Sequence, residues 1–256
     1  MRSVTIAVLG KFPDIFDGFV ESADKFLPDI PKVFVRDGSE ITMPTGPKWT
    51  CLQGPPVFSN PGNANQAWQA AAPDSDILYC GDDVRFLQSN TWQMLQEVAY
   101  SDPQIGMLSA RIIGAAGNIL QTNPKVEGIT YSSQRLALIC TYIKREVIKT
   151  VGYMDPQFGG SYGSDDSDYN FRVRKAGYLL AVTHKVSVEH RHAASTFTRT
   201  GPGSDCTTGA EKFRKKWGME AWIDTESSMT LDKPYYENQT VLNGSPVRRP
   251  RLRRGM

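Results

Sequence analysis

Apolar and polar positions alternate along the chain in a way that marks out its elements. Val4-Thr-Ile-Ala-Val-Leu9 is a β-branched apolar run closed by Gly10, which predicts a buried, parallel strand. From Phe12 to Phe26 the apolar residues Phe12, Ile15, Phe16, Phe19 and Val20 recur at helical spacing, and the pattern stops before Pro28. Lys32-Val-Phe-Val35 predicts a second strand, ended by the turn-forming Arg36-Asp37-Gly38-Ser39. Strand, helix and strand in this order read as a βαβ unit opening an α/β sheet, whose ligands bind at the carboxyl ends of the strands.

Residues 41–60 carry four prolines and no period. A helix is predicted from Ala64 to Ala72 with Asn63 as its cap, then a buried strand Ile77 to Cys80 delivering Gly81-Asp82-Asp83 to the ligand edge. Leu87 to Tyr100 reads as helix, and Ile105 to Leu108 and Arg111 to Gly114 as two short strands. Residues 114–133 show no clear period, Leu136 to Ile143 predicts a strand, and Arg145 to Val151 a short helix. Asp166 to Ala176 predicts a helix closed by Gly177, followed by strands Tyr178 to His184 and Val186 to His192. Ala210 to Trp217 predicts a basic amphipathic helix, and nothing periodic follows Trp222. No internal repeat or domain break interrupts this series.

Three acids, Asp165, Asp166 and Asp168, start the predicted helix, and two of the chain's three histidines, His190 and His192, share a face of the strand after it. The acids suit a helix amino end, where the macrodipole favours negative charge, but three in four positions exceed what capping needs. Crowded carboxylates raise one another's pKa, which can tune a general base. Asp82-Asp83 reads either as a solvated turn or as hard oxygen ligands for Mg²⁺ or Mn²⁺, with a diphosphate completing the shell. One histidine beside a carboxylate makes a Mn²⁺ site, whereas the alternative is a histidine packed against backbone.

Composition adds limits. The 256 residues are 40% hydrophobic and 22% charged, ordinary for a globular protein of one large domain. No apolar run is long enough to span a bilayer, and the amino terminus suits a buried strand better than a secretory signal. Four cysteines lie far apart without metal-type spacing, which predicts free thiols in a reducing, cytoplasmic setting. The net charge is +2, and five of the cations are arginines within residues 246–256, so the rest of the chain sums to −3. That tail reads as a hook for phosphate, in nucleic acid or at a membrane surface, or as a solvated terminus. Asn238-Gln-Thr240 fits a glycosylation sequon, a pattern that arises by chance.

The run from Arg145 to Ser195 resembles the second half of inverting family 2 glycosyltransferases with the GT-A fold. The matching pieces are Gly152-Tyr-Met-Asp155, Asp166-Ser-Asp168 with Arg172, Lys175-Ala-Gly-Tyr178, and His190 with Ser195. Upstream, Asp37-Gly-Ser39 resembles the nucleotide-contacting turn, Asn60 to Asn65 the glycine and asparagine segment, and Gly81-Asp82-Asp83 the Asp-x-Asp metal motif, with glycine in the first place. The resemblance covers residues 1–217. It implies a mostly parallel central sheet with flanking helices in a domain over residues 1–222, and a carboxyl-terminal extension over 223–256.

It further implies donor contacts from Gly10, Asp37, Asn65 and Asp82, with Asp37 on the base and Asp82 near the ribose or diphosphate. The metal, Mn²⁺ or Mg²⁺, would be held by Asp83 and His190, with His192 able to replace His190. Asp166 would be the general base. The implied reaction moves a sugar from a nucleotide-diphosphate donor, a UDP-sugar, to a hydroxyl of a glycan or lipid-linked glycan. Two other readings accompany it: the same chemistry on a modified DNA base, which would have to be flipped out of the duplex, and a GT-A-like binding module without turnover, suggested by Gly81.

Overall fold

The computed structural model describes residues 1–37, 40–55, 58–114, 119–125, 127–132, 135–160, 163–191, 207–218 and 239–241. Of the sequence expectations, those on residues 38–39, His192, Ser195, Asn238 and the arginine-rich tail lie outside them.

Among the described residues a ten-stranded sheet forms the centre of the fold. Its first half is built by β1 (Val4–Gly10), β2 (Lys32–Arg36), β3 (Trp49–Gln53) and β4 (Asp76–Gly81), all parallel, in the order β3-β2-β1-β4. Helices α1 (Pro13–Phe26) and α2 (Asn60–Ala70) make the crossovers. β1 is buried along its whole length because both faces are covered. Ile6 and Val8 join Phe16 of α1 and Phe34 in one core, whereas Ala7 and Leu9 join Ala64 and Trp68 of α2 in another. This is the period-two division that a strand between two helix layers imposes. Pro13 fits the first turn of α1, and Phe16 stacks on Phe34 with ring centroids 4.0 Å apart.

The second half departs from the mostly parallel sheet expected. β6 (Ile105–Gly114), β8 (Cys140–Ile143) and β9 (Leu179–His190) continue the sheet, with β8 inserted antiparallel between β4 and β6. β9 runs parallel to β6, while β7 (Ile129–Ser132) and β5 (Val84–Phe86) pair antiparallel with β9. The sheet is therefore mixed. β10 (Gln239–Val241) adds antiparallel to β7, so a segment beyond residue 222 belongs to the sheet. The two pairs of short strands expected over 105–114 and 178–192 are each one long strand, with the mutual register shifting between Ala110 and Arg111.

The remaining helices among the described residues are α3 (Thr91–Ser101), the short α4 (Ile119–Thr122), α5 (Arg145–Val151), α6 (Asp165–Lys175) and α7 (Thr207–Trp217), with a 3-10 turn at Pro156–Phe158. Cys80 and Cys140 face each other across β4 and β8 as free thiols, and Cys51 on β3 is a free thiol as well. No helix among the described residues is long and apolar enough to cross a membrane.

Candidate active site

The carboxyl ends of β1, β2, β4, β6 and β9 share one edge of the sheet, and the candidate residues gather there. β5 turns back from β4 onto β9 with Val84 opposite His190, which sets Asp83 beside that histidine. Asp83 Oδ2 lies 3.0 Å from His190 Nε2, and Arg191 N donates to the Asp83 carbonyl at 3.0 Å. His190 is buried. Gly81 is where the resemblance expects an acid; a Cβ built there would come within 2.9 Å of Asp83 Oδ1. The glycine thus leaves space for the next carboxylate.

Asp83 and His190 fit a divalent cation. One is a hard oxygen donor and the other an imidazole, and the two stand side by side at 3.0 Å, so together they could hold Mn²⁺ or Mg²⁺. Among the described residues no group of three or more His, Cys, Asp or Glu side chains adds to them.

Asp82 points the other way. Its Oδ2 lies 3.1 Å from where a Gly10 Cβ would stand, and the Lys11 and Asp82 amides donate to its carboxylate. Burial first, then the charge of Asp83, pushes the Asp82 carboxyl up to about 7. Asp37 is buried at the end of β2 with its amide on the Gly10 carbonyl at 2.9 Å and the Lys11 ammonium 3.5 Å from its carboxylate. Burial raises its pKa, and Lys11 pulls the other way. Gly10, Lys11, Asp37 and Asp82 therefore form one cluster at the ends of β1, β2 and β4.

α6 supplies the other wall. Ser164 precedes it in the left-handed region (φ 68°), a conformation unusual for a residue with a side chain. Ser167 N donates to Asp166 Oδ1 at 2.7 Å, and Arg135 forms an ion pair with Asp166 Oδ2. The buried Asn170 carries the arginine's segment, exchanging bonds of 3.1 and 3.0 Å with the backbone of Leu136. Asp165 accepts from Asn60 Nδ2, and the Tyr79 hydroxyl donates to Asn60 Oδ1 at 2.9 Å. Burial, then the charge of Asp166, raises Asp165 to about 6.

Other candidates are occupied elsewhere. Asp168, fully buried, holds α6 to α7: it accepts from Arg172 at 2.9 Å, Lys216 at 2.7 Å and Trp217 Nε1 at 2.9 Å. Asn65 spends both ends of its amide on the backbone of Met154, each at 2.8 Å. In the basic helix α7, Lys216 also pairs with Asp155 at 2.6 Å and Lys212 donates to the Gly159 carbonyl at 3.1 Å, so two of its cations face the protein itself. Sequence reasoning placed Asn60 in the glycine and asparagine segment but passed over Arg135 and Tyr79. Neither has a motif; each gains its place only when distant elements meet.

This architecture, a large mixed sheet with helices on both faces and acids at one edge, is the GT-A fold. Solved glycosyltransferase structures share it. The structure of GalNAc-T7 with UDP, GalNAc and Mn²⁺ superimposes at a TM-score of 0.63 and 13% identity, over 84% of this chain and 48% of that one. Residues 1–349 of TarS from S. aureus give 0.53 and 10%, over 74% of this chain and 60% of that one. The longer S. aureus TarS structure gives 0.53 and 12%, over 77% and 38%. This chain thus spans only about half the length of the solved structures it matches. No family model and no curated protein sequence matches it.

Proposed function

We propose that this chain transfers a sugar from a nucleotide-diphosphate donor to an acceptor hydroxyl, with inversion at the anomeric carbon. The observation that carries the proposal is the pairing of Asp83 with His190 at the strand ends, on a fold shared with a structure that holds UDP, GalNAc and Mn²⁺. That neighbour supports a UDP-sugar as donor. Asp37, Lys11, Gly10 and Asp82 form the nucleotide end of the crevice. Asp83 and His190 would hold Mn²⁺ or Mg²⁺, which when bound neutralises charge on the departing diphosphate.

Asp166 takes the proton of the acceptor hydroxyl. The Ser167 amide fixes one of its oxygens and Arg135 the other, so the carboxylate is aimed before substrate arrives.

The test is Asp166→Asn. Transfer is expected to vanish while the affinity for UDP in Mn²⁺, read by calorimetry, stays within about tenfold, roughly 1.4 kcal/mol. Transfer at the wild-type rate would remove Asp166 from the mechanism, and a larger loss of donor affinity would make it a donor-binding residue.

A further inference from the structure

The turn that presents Asp83 has the carbonyls of Asp82, Asp83 and Val84 all taken by hydrogen bonds. Arg85 Nη1 donates to the Asp82 carbonyl at 3.1 Å and to that of Val84 at 2.9 Å, and the Arg191 amide takes that of Asp83. With its other nitrogen, Nη2, Arg85 donates at 2.7 Å to the Ile15 carbonyl in the first turn of α1. The guanidinium lies close against Gly18 of the same helix, with its Nε and Nη2 nearest. A Cβ built on Gly18 would stand 2.6 Å from the guanidinium carbon. Arginine ends are usually free to swing aside, but this one would surrender three charged hydrogen bonds to do so. Glycine also weakens a helix interior, so its place in the second turn of α1 has a local cost that the contact with Arg85 accounts for.

We propose that Arg85 and Gly18 are a matched positioning pair. The arginine anchors the Gly81–Asp83 turn to α1 so that the Asp83 carboxylate meets His190, and the glycine leaves the guanidinium its room. The inference rests on the metal role given to Asp83 and His190 above. It makes α1, which lies in the chain between Lys11 and Asp37, part of the support of the metal turn.

The experiment is titration calorimetry of UDP with and without Mn²⁺ on the full chain, comparing wild type, Gly18→Ala, Arg85→Ala, the double variant and Asp83→Asn. Gly18→Ala and Arg85→Ala are each expected to weaken the Mn²⁺-supported affinity about tenfold and leave Mn²⁺-free UDP binding unchanged. The double variant is expected to be no worse than Arg85→Ala, because alanine at 85 offers the new methyl nothing to strike. A merely structural defect would instead lower affinity in both conditions. Full Mn²⁺-supported affinity in Arg85→Ala, or fully additive losses in the double variant, overturns the pair while Asp83→Asn still shows the metal effect. Wild-type UDP affinity indifferent to Mn²⁺ overturns the pair together with the metal assignment.

Discussion

Asp165 is the residue whose environment changes its chemistry most plainly next to the proposed base. It is raised from 3.8 to about 6, chiefly by burial and then by Asp166, against the opposing hydrogen bond from Asn60. Folded, it holds its proton more tightly than unfolded. Its contribution to stability is therefore complete below about pH 4 and is lost as the pH rises through 6. Asp165→Asn, which keeps an oxygen for Asn60, is expected to flatten the fall in stability between pH 5 and 7.5 by roughly 1.4 kcal/mol, the larger part of the linkage having been lost already below pH 5. Urea unfolding at the two pH values measures this. Asp82, also raised, keeps part of the slope in the variant. At this scale His190 stands out in the sequence because the chain has only three histidines, and Asp83 and Asp166 because each lies in a run of neighbouring acids. Arg135 could not, since an isolated arginine carries no sign of the carboxylate it will meet.

At the scale of elements, β1, β2 and β4 are readable as short apolar runs, α1 from its helical period, and α6 from its acidic start and Gly177 stop. β3 is not: Trp49-Thr-Cys-Leu-Gln53 lies among prolines, and as an edge strand it is only partly buried. α2 starts at Asn60 rather than after Asn63, since Ser59 caps it through the Gly62 amide at 3.0 Å and Pro61 fits its first turn. α7 is readable as basic and amphipathic, but its purpose is not. Phe213 is buried against Phe158 and Phe171, and Lys216 bridges Asp155 and Asp168. Lys216→Met is expected to cost about 2 kcal/mol, because the buried Asp168 keeps Arg172 and Trp217 but loses one cation. A denaturation midpoint equal to wild type would show that the bridge adds nothing net.

Over the whole molecule, the chemistry sits at one end of the strands and a buried anchor at the other. Asp76, fully buried at the start of β4, accepts from Tyr142 at 2.6 Å, Tyr100 at 2.9 Å and the Arg145 amide at 2.7 Å. Arg145 in turn binds the carbonyls of Ser75, Trp68 and Ala72. Asp76→Ala is expected to cost about 3–5 kcal/mol by stranding these donors, while UDP affinity well below the melting temperature stays at the wild-type value. Coupled losses in both would mean that the two ends of the sheet communicate.

The α/β class, the order of the first elements and the residues worth watching follow from the sequence alone, because period, turn chemistry and rare side chains are local properties. The mixed sheet, the pairing of Asp83 with His190 and the grip of Arg135 on Asp166 were decided by tertiary structure. Each depends on strand register or on the meeting of segments tens of residues apart, and which strand lies beside which is settled by packing both faces of the sheet at once.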